Sequence, residues 1–460
     1  MRHLKLFSLL LVPLVLLAGG CGSGGNSVGH AAQSITFANP GTQTVGVPLT
    51  LSATASSGAA VTFTSATPSV CTVSGTTATF ETAGTCTIDA SQAGTSVYAA
   101  AAQVAQSFTV NPAIGPTTTI YIAGYAITAA SLGNADDSVA EVWQLTSGSP
   151  TATATALSMP SGMTSAQAQG IAVSGRDVYV AGSASNSTSQ VAVLWVNGAA
   201  TILPSGMTIS GTCTIAVSGG NVYVTGFEEN TAANSTAVLW VNGVATTLAP
   251  PNGMAYAAAF DIAVSGSDVY VTGIADNTDS DEVAVLWVNG AATVLPAPSG
   301  LAGDYWAQGI AVSGGNVYVS GITSPDEGSD TAITWVNGGA ATTLPIPPHD
   351  TAQGYGAGAI AVLGNDVYVA GSGVSGVTGN STAAYWLNGT ATSLPLPTNT
   401  IGSPATSFAA GIGFSGSDVY MSGSAGVYAA YWVNGGGGTL LPMPSGMAVS
   451  SAGAIAVATQ

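Results

Sequence analysis

The chain has 460 residues, 47% of them hydrophobic and only 5% charged, with a net charge of −18 and 61 glycines. So few charges exclude long solvated helices, whose outer faces need Lys and Glu, and the many Gly, Thr and Val residues point to short β-strands. After Cys21 the one Lys or Arg is Arg176, against 21 acidic residues, which excludes nucleic acid as a partner and every lysine-based chemistry.

Histidine is nearly as scarce. Only His30 and His349 follow Cys21, so a three-histidine metal site is excluded, and the sequence calls for no metal or cofactor.

The chain opens with MRHLKLFSLLLVPLVLLAGGC. A short basic start precedes an apolar run from Leu6 to Leu17, interrupted by Pro13. That run is too short for a comfortable membrane span and has the layout of a secretory signal over residues 1–20. The LAGGC ending resembles the lipobox of bacterial lipoproteins, with Ala18 where a larger aliphatic is commoner. The resemblance implies cleavage before Cys21, lipid modification of that residue, and a membrane partner reached through the lipid. Gly22 in place of Asp implies sorting to the outer membrane or cell surface of a bacterium. An ordinary signal peptide with an incidental cysteine is the alternative. Residues 21–33, with GSGGNSVGHAAQ after Cys21, form a flexible tether in which His30 is solvated.

Residues 34–112 hold short alternating strands between turn signals, the pattern of a β-sandwich. Cys71 and Cys86 both fall in such strands, and an exported compartment permits a disulfide between them. Closing that loop of about 15 residues is worth roughly 3 kcal/mol. No neighbouring His or further Cys supports zinc. The segments SATASSG, PSVCTVSG and AGTCTIDASQAG resemble bacterial Ig-like modules, which implies a spacer or adhesive stalk. A Pro/Gly hinge follows over residues 113–117.

From residue 118 to the end the chain repeats itself. The type unit IAVSGSDVYVTG starts at Ile262, and its central Tyr recurs about every 50 residues, from Tyr179 through Tyr223, Tyr270, Tyr318 and Tyr368 to Tyr420. Each unit continues into LWVNG or a variant with a fixed Trp, then a short strand ending in Leu and Pro. Four strands result, with an a–b turn of the SGSD type and an Asn-Gly turn between c and d, a type I′ hairpin signal. At the ends, TTTIYIAG with Tyr121 is a strand b without its strand a, and GAIAVATQ with Ile455 is a strand a without its strand b. The two complete one unit, so the expected fold is all-β, an Ig-like β-sandwich followed by a seven-bladed β-propeller closed by its last strand. The repeat core resembles bacterial SBBP-type and NHL-type propeller repeats. A membrane barrel is opposed by strands that are apolar on both faces. Cys213, just before an IAV strand, is expected to be a buried small hydrophobe.

The row Asp177, Asn221, Asp268, Asn316, Asp366 and Asp418 stands in a–b turns, where backbone bonding explains it better than metal ligation. Features outside the repeat are more informative. Acidic groups fall in the b–c loops, including Asp137, Glu228, Glu229, Asp276, Glu282 and Asp330. Extra aromatics and the one propeller histidine fall in the d–a connections: Tyr256, Tyr305, Trp306, His349, Asp350 and Tyr355. In a propeller both sets emerge on one face. Carboxylates beside aromatics suit a glycan or a protein ligand. The expected function is a lipid-anchored binding or scaffold protein, with no catalytic residue assigned. The alternatives are a carboxylate-dependent glycan hydrolase or lyase, and a purely structural surface protein.

Overall fold

The structure, a computed structural model, describes residues 29–111, 118–128, 137–146, 151–230, 234–276, 282–300, 303–325, 329–348, 354–374, 380–397 and 406–459. Cys21 lies outside them. Two compact units divide between Gly115 and Pro116.

The first unit contains β1 (Ile35–Phe37), β2 (Gln43–Thr44), β3 (Leu49–Thr50), β4 (Ala53–Ala55), β5 (Thr62–Ser65), β6 (Cys71–Ser74), β7 (Thr77–Phe80), β8 (Gly84–Ser91) and β9 (Val104–Asn111). They pair in the orders β2-β9-β8-β5, β3-β7-β6 and β1-β4. Alternation drives the packing: in β7, Ala78 and Phe80 are buried while Thr77 and Thr79 face water. One core gathers Phe37, Phe63, Phe80, Ile88, Phe108 and Val110. Cys71 on β6 and Cys86 on β8 form a disulfide, Cα atoms 5.8 Å apart, that ties one sheet to another through this core.

The second unit begins with β10 (Thr118–Thr128), β11 (Ser138–Thr146) and β12 (Thr153–Ala156). Next come β13 (Ser165–Ser174), β14 (Asp177–Ser185), β15 (Gln190–Val196) and β16 (Ala199–Ile202), then β17 (Ile209–Ser218), β18 (Asn221–Glu229), β19 (Ser235–Val241) and β20 (Val244–Thr247). The pattern continues with β21 (Tyr256–Ser265), β22 (Asp268–Asp276), β23 (Glu282–Val288) and β24 (Ala291–Val294). It repeats as β25 (Gly303–Ser313), β26 (Asn316–Pro325), β27 (Thr331–Val336) and β28 (Thr342–Thr343), and again as β29 (Gly354–Leu363), β30 (Asp366–Val374), β31 (Ser381–Leu387) and β32 (Thr390–Ser393). The last strands are β33 (Ser407–Ser415), β34 (Asp418–Ala425), β35 (Tyr428–Val433), β36 (Thr439–Leu440) and β37 (Met447–Thr459).

Each group of four is an antiparallel meander, and the C-terminal β37 pairs with β10 to complete the order β12-β11-β10-β37. The β13–β16 and β17–β20 groups are also joined through one parallel bridge between Gln190 and Ile209. The innermost strands form a succession β13, β17, β21, β25, β29, β33, and β37 lies beside both β33 and β13. This is a β-propeller built of four-stranded antiparallel groups, not a continuous barrel wall.

Three repeated devices explain why these sequences make these blades. The first lies in the c–d turn, where Asn197 and Gly198 take φ of 50° and 84°, as a type I′ turn requires. Asn197 donates from Nδ2 to Asp177 Oδ1 at 2.8 Å and accepts the Val178 N–H at 2.9 Å, clasping the two hairpins of one blade together. The pairs Asn289–Asp268 and Asn388–Asp366 do the same. The Asp/Asn row is thus turn chemistry. The second device is the strand-c Trp, fully buried between blades, whose indole N–H bonds a carbonyl after strand d of the preceding blade, as Trp240 to Pro204 at 2.8 Å and Trp335 to Pro296 at 2.9 Å. The third is a hydroxyl at the start of strand a that accepts an N–H from strand c of the preceding blade, as Ser210 from Ala192 and Ser407 from Ala383.

Every innermost strand also carries a register shift against strand b, for instance between Ala168 and Gly170 and between Ala259 and Asp261. The glycine of VYVxG answers this bulge. A Cβ on Gly182 would lie 2.0 Å from the Gln167 carbonyl oxygen, so that position admits no side chain.

Candidate functional site

Two concave regions stand out on the propeller. The first is a cleft of about 380 Å³ between the β17–β20 and β21–β24 blades. Its floor is a row across three strands: Tyr256 on β21 opposes Asp276 on β22, which opposes Glu282 on β23. Asn234 and Ser235 of the adjoining blade complete the wall. On the other side of Glu282, Trp306 of β25 donates its indole N–H to Glu282 Oε2, and Asp304 Oδ1 accepts the Glu282 N–H at 2.9 Å. Glu282 is therefore held from the neighbouring blade, and it also lines the cleft.

Of the aromatics singled out in the sequence, this arrangement brings together Tyr256 and Trp306. It does not bring in Tyr305 or Tyr355. Tyr305 is buried among Ala284, Leu286 and Trp335, where burial pushes its phenol pKa upward. Tyr355 is buried with its ring edge-on to Trp386 at 5.8 Å. Strand alternation decides this: Tyr305 and Trp306 are neighbours on β25, so their side chains leave opposite faces of the sheet. His349 and Asp350 lie outside the described residues.

The second region is a cavity of about 580 Å³ at the centre of the ring, lined by all of the innermost strands. The bulges aim side chains into it. Gln169, Cys213, Phe260 and Gln308 line one side, and Gly358, Ala410 and Gly453 occupy the corresponding positions on the other blades. The bulge carbonyls are tied down by hydroxyls of the preceding blade, as Ser320 to Gly358 O at 2.7 Å and Ser422 to Gly453 O at 3.1 Å. Cys213 stands on the cavity wall, its residue half-buried and its thiol desolvated.

Beside it stands Asp261. Its Oδ1 accepts the Ile262 N–H at 2.9 Å and its Oδ2 accepts the Ile310 N–H of the next blade at 2.8 Å. Burial pushes this carboxyl up to about 6, against those two backbone bonds and one from the Thr214 side chain, which pull it down. Burial first, then the Asp261 charge, pushes the Cys213 thiol to about 12, so it is protonated and a poor nucleophile at neutral pH.

A third polar group sits in the core of a blade. Glu141 on β11 is 2% exposed, and its Oε2 has no hydrogen-bond partner. Burial pushes its carboxyl to about 7. It stands two residues before Trp143, where the other blades carry Val193, Val238, Val285, Ile333, Ala384 and Ala430, all buried.

No protein-family model matches the chain, and no curated protein matches it. Among solved structures it is similar to the β-propeller domain of the trilobed protease from Pyrococcus furiosus, with TM-score 0.41, 9% identity, and coverage of 72% of this chain and 93% of that one. It is similar also to the acylaminoacyl peptidase of Pyrococcus horikoshii, with TM-score 0.40, 10% identity, and coverage of 71% of this chain and 50% of that one. An exo-1,5-α-L-arabinanase from a bovine ruminal metagenomic library matches with TM-score 0.29, 11% identity, and coverage of 47% of this chain and 94% of that one. These are likenesses of fold alone.

Proposed function

We propose that this is an exported, lipid-anchored binding protein. Cys21 carries the lipid, the first unit is an Ig-like stalk, and a seven-bladed propeller presents a glycan-binding cleft at Tyr256, Asp276, Glu282 and Trp306. The observation that supports this reading is the row of Tyr256, Asp276 and Glu282 in one cleft, with Trp306 bonded to Glu282. Carboxylate oxygens accept sugar hydroxyls, and aromatic faces take the apolar faces of pyranose rings. A cleft of about 380 Å³ has room for a short saccharide segment.

A second reading, glycan hydrolysis at the same cleft, is favoured by one feature. Asp276 and Glu282 are directly opposed across β22 and β23. Directly opposed residues have Cβ atoms ~4.5–5.5 Å apart, and retaining hydrolases work with carboxyl groups ~5–5.5 Å apart.

A glycan array probed with the full chain and with Trp306→Ala tests the main reading. Binding by the wild type that is lost in the variant supports it, and binding of nothing, or equal binding by both, overturns it. Chromatography of any retained oligosaccharide separates the two readings, because shortened products appear only with hydrolysis.

A further inference from the structure

The central cavity has a feature that the repeat does not demand. Asp261 occupies the position just before the fixed Ile, where the other units carry Gly170, Thr214, Gly309, Ala359, Gly411 and Ala454. A charged side chain has thus replaced small residues at one point on the ring axis. Among the described residues no Lys or Arg stands beside it: the one there is Arg176, which is exposed in the turn between β13 and β14. Two backbone N–H groups and the Thr214 side chain bond the carboxylate, out of about four acceptor positions such a group has. One acceptor position and the full charge remain.

The rest of the lining is shaped around this group. Phe260, the residue before it, and Gln169 and Gln308 line the same cavity. Across the cavity the bulges are bare, and the fold does not require them to be. A Cβ on Gly358 would meet nothing nearer than the Ala370 carbonyl at 3.7 Å, and one on Gly453 nothing nearer than the Gln169 carbonyl at 3.4 Å. Neither glycine has a left-handed backbone. Their missing side chains leave open volume facing the carboxylate.

We propose that this cavity binds a small organic ammonium ion, paired with the Asp261 carboxylate and flanked by the Phe260 ring and the Gln169 and Gln308 amides. A carboxylate and an aromatic ring together recognise a cationic nitrogen. One carboxylate with two amides matches a single positive charge, whereas a divalent cation takes six or more oxygens, several of them anionic. The net charge of −18 concentrates small cations at the protein. The site is separate from the inter-blade cleft and stands without the glycan reading.

Calorimetric titration of the full chain with butylammonium, putrescine and tetramethylammonium, with butanol as the uncharged control, tests this. Saturable 1:1 binding of at least one cation, and none of butanol, is expected. Asp261→Asn keeps an acceptor for one of the two backbone N–H groups and should weaken binding at least tenfold. Gly358→Met, which fills the opposite wall without touching the charge, should weaken it as well. Because Asp261 also joins two blades, Gly358→Met decides the matter if Asp261→Asn does not fold. No saturable binding by any of the three cations overturns the proposal. Binding that Gly358→Met leaves unchanged overturns it too, since the cation is then held elsewhere on the acidic surface.

Discussion

Trp143 donates its indole N–H to the carbonyl of Pro442 at 2.9 Å, across 299 residues of chain. It is the same bond that every other strand-c Trp makes to the blade before it, about 40 residues away, as Trp195 does to Ser158. Here it joins the first blade to the last. Around it Ile120, Ile122, Leu145, Ala429, Leu441 and Ile455 form one buried cluster drawn from both ends of the unit. The ring is therefore held at its seam by a core of its own as well as by the β10–β37 ladder.

The C-terminal strand carries this closure. Residues Ala454 to Thr459 pair with Thr118 to Ala123 along the inner edge of the first blade. Deleting residues 453–460 exposes that edge and the seam cluster, and exposed edges pair with other chains. Light scattering should show oligomers, and calorimetry a lowered melting temperature. A truncated chain that stays monomeric with an unchanged melting temperature would contradict the closure.

Glu141 makes stability depend on pH. Its carboxyl rises from 4.5 to about 7 on folding. The stability linked to it is fully present below about pH 4.5, declines as pH rises, and is gone above about pH 7. Glu141→Val, the residue other blades use, should raise unfolding free energy at pH 8 by on the order of 3 kcal/mol. Near pH 4 the difference should largely vanish. Urea unfolding of both proteins at the two pH values checks this. The adjoining seam cluster carries the phenols of Tyr420 and Tyr431, and burial pushes that of Tyr420 upward.

The Cys71–Cys86 disulfide should act on the first unit alone. Replacing both residues with Ser removes roughly 3 kcal/mol of loop-closure stabilisation from a small domain. Differential scanning calorimetry should show the transition of that unit move down while the propeller transition stays in place. A shift of both would contradict the division at Gly115 and Pro116.

The clasp between hairpins is also testable. Asn289 sits at φ 50°, bonds Asp268 at 2.9 Å and accepts the Val269 N–H at 2.9 Å. Asn289→Ala loses both bonds and places a non-Gly, non-Asn residue in the left-handed region, at a cost of about 2 kcal/mol. Asn289→Gly, which keeps the backbone conformation accessible, should recover part of it. Chemical denaturation of the two variants checks the order.

Much of the fold was legible because its signals are local or periodic. Asn-Gly before each strand d, the fixed Trp, and the complementary fragments around Tyr121 and Ile455 all mark blades without any knowledge of contacts. The site was less legible. That Tyr305 turns inward while Trp306 reaches Glu282 depends on the phase of one strand. That Gln169, Cys213, Phe260 and Gln308 point to the axis depends on bulges, which a hydrophobic pattern does not reveal. A signal did exist: the position two before the repeat Ile changes from Gln to Cys, Phe, Gly and Ala while the Ile itself stays fixed. Glu141 had one too, as the charge in a column of Val, Ile and Ala.

The glycan reading turns on Trp306. Of the 8 tryptophans, seven are fully buried at the blade interfaces and Trp306 alone is not. Acrylamide quenching of tryptophan fluorescence therefore reports on this one side chain, and Trp306→Phe should abolish the quenchable fraction. With an oligosaccharide retained on the array, the wild-type quenchable fraction should fall as the cleft fills. A retained oligosaccharide that leaves Trp306 as open to acrylamide as before would contradict a binding site at Tyr256, Asp276, Glu282 and Trp306.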